Sequence, residues 1–96
     1  MAQAPSSHRV LIVEDEYYLA ADLELALKAQ GAGVVGPICD LPDALSAVAK
    51  GGFDAAVIDV NLHGEFAYNV ADALKRRGIP FVFATGYSQE IGRAHV

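Results

Sequence analysis

The residues best placed to do chemistry in this sequence are acids that directly follow apolar runs. Glu14-Asp15-Glu16 comes straight after Val10-Leu-Ile-Val13, Asp59 follows Ala55-Ala-Val-Ile58, and a hydroxyl, Thr85, follows Pro80-Phe-Val-Phe-Ala84. If Glu14, Asp15 and Asp59 meet in space, their mutual repulsion demands a cation or protons. A small open site of hard oxygen donors suits Mg²⁺, which takes few carboxylates, keeps waters and favours phosphoryl partners. Thr85 would then donate a hydrogen bond to an anion held at the metal. The chemistry implied is phosphoryl transfer, with a carboxylate as nucleophile. Taken singly, an acid after a strand is more often a helix cap or first-turn acid, and Asp15 or Glu16 can be read that way. The combination of three acids and a hydroxyl carries the functional reading.

The elements that must position these groups follow from periodicity. Arg9-Val-Leu-Ile-Val13 is a short apolar, β-branched run, read as a strand buried on both faces. Leu19, Leu23, Ala26 and Leu27 then recur on one helical face, and Gly31 ends the helix as a left-handed cap. Val34-Val-Gly-Pro-Ile38 is a second strand, placed at a sheet edge because Pro37 cannot donate to a ladder. Asp40 reads as the N-cap of a second helix with Leu45, Val48 and Ala49 on its apolar side, stopped by Gly51-Gly52. Residues 55–58 form a third buried strand. A third helix runs over residues 67–77 with Val70, Ala71 and Leu74 inward and a basic end at Lys75-Arg-Arg77 that complements its dipole. Residues 80–84 form a fourth strand. The order β-α-β-α-β-α-β with short connections predicts an α/β fold, a parallel sheet with helices on both faces. Such sheets bind ligands outside the carboxyl ends of their strands, where the acids and Thr85 stand.

Composition agrees with a single small domain. The chain has 96 residues, 53% hydrophobic and 20% charged, which excludes intrinsic disorder. Its longest apolar runs are far below the roughly 20 residues of a bilayer span, so no membrane association is expected. Met1-Ala-Gln-Ala-Pro-Ser-Ser lacks a basic start and an apolar core, so it reads as a frayed tail over residues 1–8 rather than a signal peptide. A net charge of −5 opposes direct nucleic-acid binding. The lone Cys39 forms no internal disulfide; it fits a cytoplasmic protein, as a small buried apolar residue. Gly31-Ala-Gly-Val-Val-Gly36 matches the dinucleotide-binding pattern G-x-G-x-x-G, but it follows a helix and opens a strand, the reverse of what that function requires. His8, His63 and His95 show no metal-ligand spacing.

Three segments in order resemble a known family. Val10-Leu-Ile-Val-Glu14-Asp15-Glu16 resembles the opening of response-regulator receiver domains. Val57-Ile-Asp59-Val-Asn61-Leu-His-Gly64 looks like their phosphoacceptor segment, with its glycine five residues after the aspartate, and Phe83-Ala-Thr85-Gly86-Tyr87 is similar to their hydroxyl-bearing switch segment. The match covers residues 9–89. The resemblance implies a flavodoxin-like, doubly wound parallel sheet, here cut to about four strands and three helices. It implies that Asp59 accepts a phosphoryl group from a histidine kinase or phosphotransfer protein, so that the chain is a signalling domain rather than an enzyme. It implies that Mg²⁺ is held by the side chains of Asp15 and Asp59 and the backbone carbonyl of Asn61, with Glu14 helping through a metal-bound water. Thr85 would move onto the phosphoryl oxygens and change a surface. Two alternatives stay open. One is an aspartyl-phosphate phosphatase, disfavoured because Asn61 stands where such enzymes carry a second acid. The other is a receiver-like interaction module that is never phosphorylated.

The chain also departs from that family. Receiver domains usually add a fifth strand, a last helix and a lysine that pairs with the phosphoryl group, yet eleven residues follow Thr85 and no lysine follows Lys75. Residues 90–96, Glu90-Ile-Gly-Arg-Ala-His-Val96, look like a translated sequencing adapter and read as a non-native tail. The fourth strand is therefore expected at an exposed sheet edge.

Overall fold

The computed structural model describes residues 8–62 and 65–84. Among the described residues six strands and three helices succeed one another: β1 (Arg9–Val13), α1 (Tyr17–Ala29), β2 (Gly33–Ile38), α2 (Leu41–Lys50), β3 (Ala55–Asp59), β4 (Asn61–Leu62), β5 (Glu65–Phe66), α3 (Tyr68–Arg76) and β6 (Phe81–Ala84). Four strands form a parallel sheet in the order β2-β1-β3-β6, while β4 and β5 make a separate antiparallel hairpin. The α/β architecture expected from the sequence is present, with β2 at one edge as Pro37 requires. The hairpin was not foreseen. Its two-residue strands are too short to show alternation.

The main core lies on one face of the sheet. Leu11 and Val13 of β1 and Ala56 and Ile58 of β3 pack with Ala44 and Val48 of α2, Val70, Ala71 and Leu74 of α3, and Phe53, Leu62 and Ala67. The α3 face is the one expected. In α2 the buried positions are Ala44 and Val48, whereas Leu45 is 37% exposed and Ala49 is also exposed. The stripe through Leu41, Ala44 and Val48 faces the sheet, and Leu45 and Ala49 each lie one residue further round the helix. A similar correction applies to α1, where Ala20 is buried, Leu19, Leu23 and Leu27 are half-buried and Ala26 is exposed.

Local chemistry sets the boundaries. The Asp40 side chain accepts from the Asp43 N–H at 2.9 Å, the expected cap of α2. Past α1, Gly31 has φ of 90°, and its N–H and that of Ala32 close onto Lys28 and Leu27, as a left-handed cap should. Gly36 matters most to the site. It has φ of +100°, and a Cβ there would stand 2.8 Å from the Ile12 carbonyl oxygen, so only glycine fits. It lies at the irregularity in the β1–β2 register, past which Ile38 pairs with Val13.

Candidate functional site

β1 and β3 run side by side in parallel, with Val13 registered against Ile58. The residues that follow them leave the sheet together, which brings in Glu14 and Asp15 from β1 and Asp59 from β3. Ligand-capable oxygens of Glu14, Asp15 and Asp59 all lie within 4.8 Å of one another. Asp59 is registered against Ala84 on β6, the residue before Thr85. Thr85 and Tyr87 themselves lie outside the described residues, as do His63 and Gly64.

Each acid is held by the backbone around it. The Glu14 N–H donates to the Ile38 carbonyl at 2.9 Å, a bond that depends on β2 resuming its register after Gly36. The Glu14 carboxylate accepts from the Glu16 N–H at 3.0 Å, and the Asp59 carboxylate accepts from the Asn61 N–H at 3.2 Å. Glu14 is 3% exposed, while Asp15 and Asp59 are half-buried. Burial pushes the Glu14 carboxyl up to about 7, with Asp59 and Asp15 adding like-charge repulsion. Burial also raises Asp59, and the hydrogen bond from Asn61 works against that rise. Glu16 occupies the N-cap position of α1 but makes no side-chain cap bond, so the capping alternative for this acid does not hold.

The donor set fits a small hard cation. Opposite ligands of an octahedral Mg²⁺ stand about 4.2 Å apart, twice its roughly 2.1 Å bond length, close to the spread of these three carboxylates. Asn61, the other expected ligand residue, opens β4 two residues past Asp59, with its N–H already turned to the Asp59 side chain.

Comparison with known proteins gives the family. Residues 10–96 match the family described as the response regulator receiver domain. The chain belongs to that family. It is 38% identical over 74 residues to the transcriptional regulatory protein TcrA of Mycobacterium tuberculosis, covering 77% of this chain and 29% of TcrA. It thus spans under a third of that relative's length. The solution structure of SdrG from Sphingomonas melonis is 41% identical with a TM-score of 0.80, covering 97% of this chain and 80% of SdrG. A BeF3-activated conformation of SdrG is 46% identical with a TM-score of 0.71, covering 84% of this chain and 70% of that one. This receiver domain of two-component signalling therefore has the parallel α/β fold of its relatives.

Sequence reasoning missed the neighbourhood of Cys39. This residue is exposed rather than buried, because it follows the edge strand β2. It lines a cleft of about 290 Å³ beside Glu14 and Asp15, together with Tyr17 and Pro37. No helix among the described residues is long and apolar enough to cross a membrane.

Proposed function

We propose that Asp59 is the phosphoacceptor of a two-component phosphorelay. Its carboxylate attacks the phosphorus of a phosphohistidine on a histidine kinase or phosphotransfer protein. The new P–O bond forms as the P–N bond breaks, and the imidazole takes the displaced electron pair. The observation that carries this reading is the convergence of Glu14, Asp15 and Asp59 at the carboxyl end of a parallel sheet. Asp59 is the member that closes a central strand, beside both neighbouring strands.

Asp15 and Asp59 would hold Mg²⁺ by their side chains and Asn61 by its backbone carbonyl, with Glu14 helping from beside them. When bound, Mg²⁺ neutralises the carboxylates and draws charge from the phosphoryl oxygens. The Asn61 N–H keeps the Asp59 carboxylate oriented and favours its ionised, nucleophilic form. Thr85 then donates to the phosphoryl oxygens and carries the modification to a surface. The BeF3-activated form of the SdrG relative supports the same reading, since this tetrahedral fluoride has the shape and charge of a phosphoryl group.

With acetyl phosphate as a small donor, Asp59→Asn should abolish acid-stable labelling of the chain, detected by intact mass. Unchanged labelling would move the site elsewhere. Asp15→Asn should weaken Mg²⁺ binding at least tenfold by calorimetry, and equal affinity would overturn the ligand set.

A further inference from the structure

The basic residues described in this domain gather at one end of the sheet. In a parallel α/β sheet every helix ends where the next strand begins, so helix C-termini and strand N-termini share one pole. Lys28, Lys50, Lys75 and Arg76 occupy the last turns of the three helices, Arg77 caps α3, and Arg9 opens β1. These six are all the Lys and Arg among the described residues, in a chain whose net charge is −5. Glu14, Asp15, Asp40 and Asp59 stand at the opposite pole, where strands end and helices begin. Asp54 is an acid of the basic pole, with its carboxylate accepting from the Arg9 N–H at 2.8 Å.

Part of this pattern complements the helix dipoles. Arg9 lies outside any helix, and a second feature goes beyond dipole compensation. Beside the basic pole an open cleft of about 680 Å³ runs between β2 and α2. Its floor is apolar, from Val35, Ile38 and Ala47, and Arg9 and Lys50 line it with the Gly51-Gly52 turn. A Cβ on Gly51 would stand 3.2 Å from an Arg77 guanidinium nitrogen, and one on Gly52 would stand 3.9 Å from an Arg9 guanidinium nitrogen. Two guanidinium groups therefore flank a turn with no side chains of its own. The acid in the lining, Asp43, is about two helical turns from Lys50.

We infer that this cleft is a docking surface for an acidic segment of a partner protein that carries apolar residues among its carboxylates. Arg9 and Lys50 supply complementary charge, and Val35, Ile38 and Ala47 take the apolar side chain. A polypeptide fits better than nucleic acid. The whole molecule repels a long polyanion, and the floor is aliphatic where a base would need an aromatic stacking platform.

The test is an NMR titration of the 96-residue chain with an eight-residue peptide of six glutamates around two central leucines. Amide shifts should concentrate at Val35, Ala47, Gly51 and Gly52. Affinity should fall at least tenfold in the exposed-site variant Arg9→Gln/Lys50→Gln, and also between 50 and 300 mM salt. Replacing both leucines of the peptide by alanine should weaken it at least threefold. Equal binding by the double variant, or shifts centred on Asp15 and Asp59, would overturn the inference. So would tighter binding of an oligothymidylate, or of vesicles containing phosphatidylglycerol, than of the peptide. An unchanged thermal midpoint for the double variant separates lost docking from lost folding.

Discussion

Glu14 is the residue whose environment departs furthest from that of an ordinary acid. Its carboxyl titrates at about 7 in the folded chain against an ordinary value of 4.5, mainly because burial disfavours its charge. Between those values the folded chain binds more protons than the unfolded one, so stability falls as pH rises from about 4.5 through about 7. Asp59 shifts in the same direction. The metal-free chain should lose on the order of 3 kcal/mol of stability across this window. Glu14→Gln should flatten the profile, and Mg²⁺ should restore stability at pH 8. Thermal unfolding at pH 5 and pH 8, with and without the ion, checks all three outcomes. The meeting of Glu14, Asp15 and Asp59 was legible in the sequence because a parallel sheet sends all its strand ends to one edge. That Glu14 is the buried member was not. Two adjacent acids leave a strand in different directions, and it is Glu14, with its N–H bonded to the Ile38 carbonyl and its carboxylate to the Glu16 N–H, that turns inward.

At the scale of elements, the continuous apolar runs of β1 and β3, the proline in β2 and the stripe of α3 were readable. Each is a strong one-dimensional pattern. The antiparallel pair of β4 and β5 was not, since two-residue strands carry no period. The facing of α2 was misread by about one residue because Leu45 is the larger side chain, yet Ala44 is the position buried in the core. Removing the cap of that helix tests the reading of its start. Asp40→Ala should cost about 1 kcal/mol by urea unfolding, through loss of the bond to the Asp43 N–H. Gly36→Ala should cost more, about 1–3 kcal/mol, since positive φ and contact with the Ile12 carbonyl both oppose it. Because Gly36 sets the register that holds the Glu14 N–H, this variant should also weaken Mg²⁺ binding, whereas Asp40→Ala should not.

Across the whole molecule the two faces of the sheet are unequally covered. Beyond the core under α2 and α3, the other face carries α1 over β1 and β2 and an apolar groove of about 280 Å³ toward β6, lined by Val10, Leu27, Val57 and Val82. Val82 is 61% exposed, and among the described residues no strand pairs with the outer side of β6. The 96-residue chain should therefore self-associate as its concentration rises, and Val82→Lys should hold it monomeric in sedimentation velocity runs. The inequality also has a temporal side. α1 spans 13 residues with Ala20 as its buried one, while the nine residues of α3 bury three. Opening free energy follows buried contact, so α1 should detach in excursions that leave the sheet, α2 and α3 intact. In native-state hydrogen exchange, its amides should exchange well before those of Leu11, Ile58 and Leu74. Glu14 and Asp15 lie on the short segment between β1 and α1. Each such excursion would slacken the carboxylate cluster for an instant, and a cation seated there would slow the exchange clock of the entire first helix.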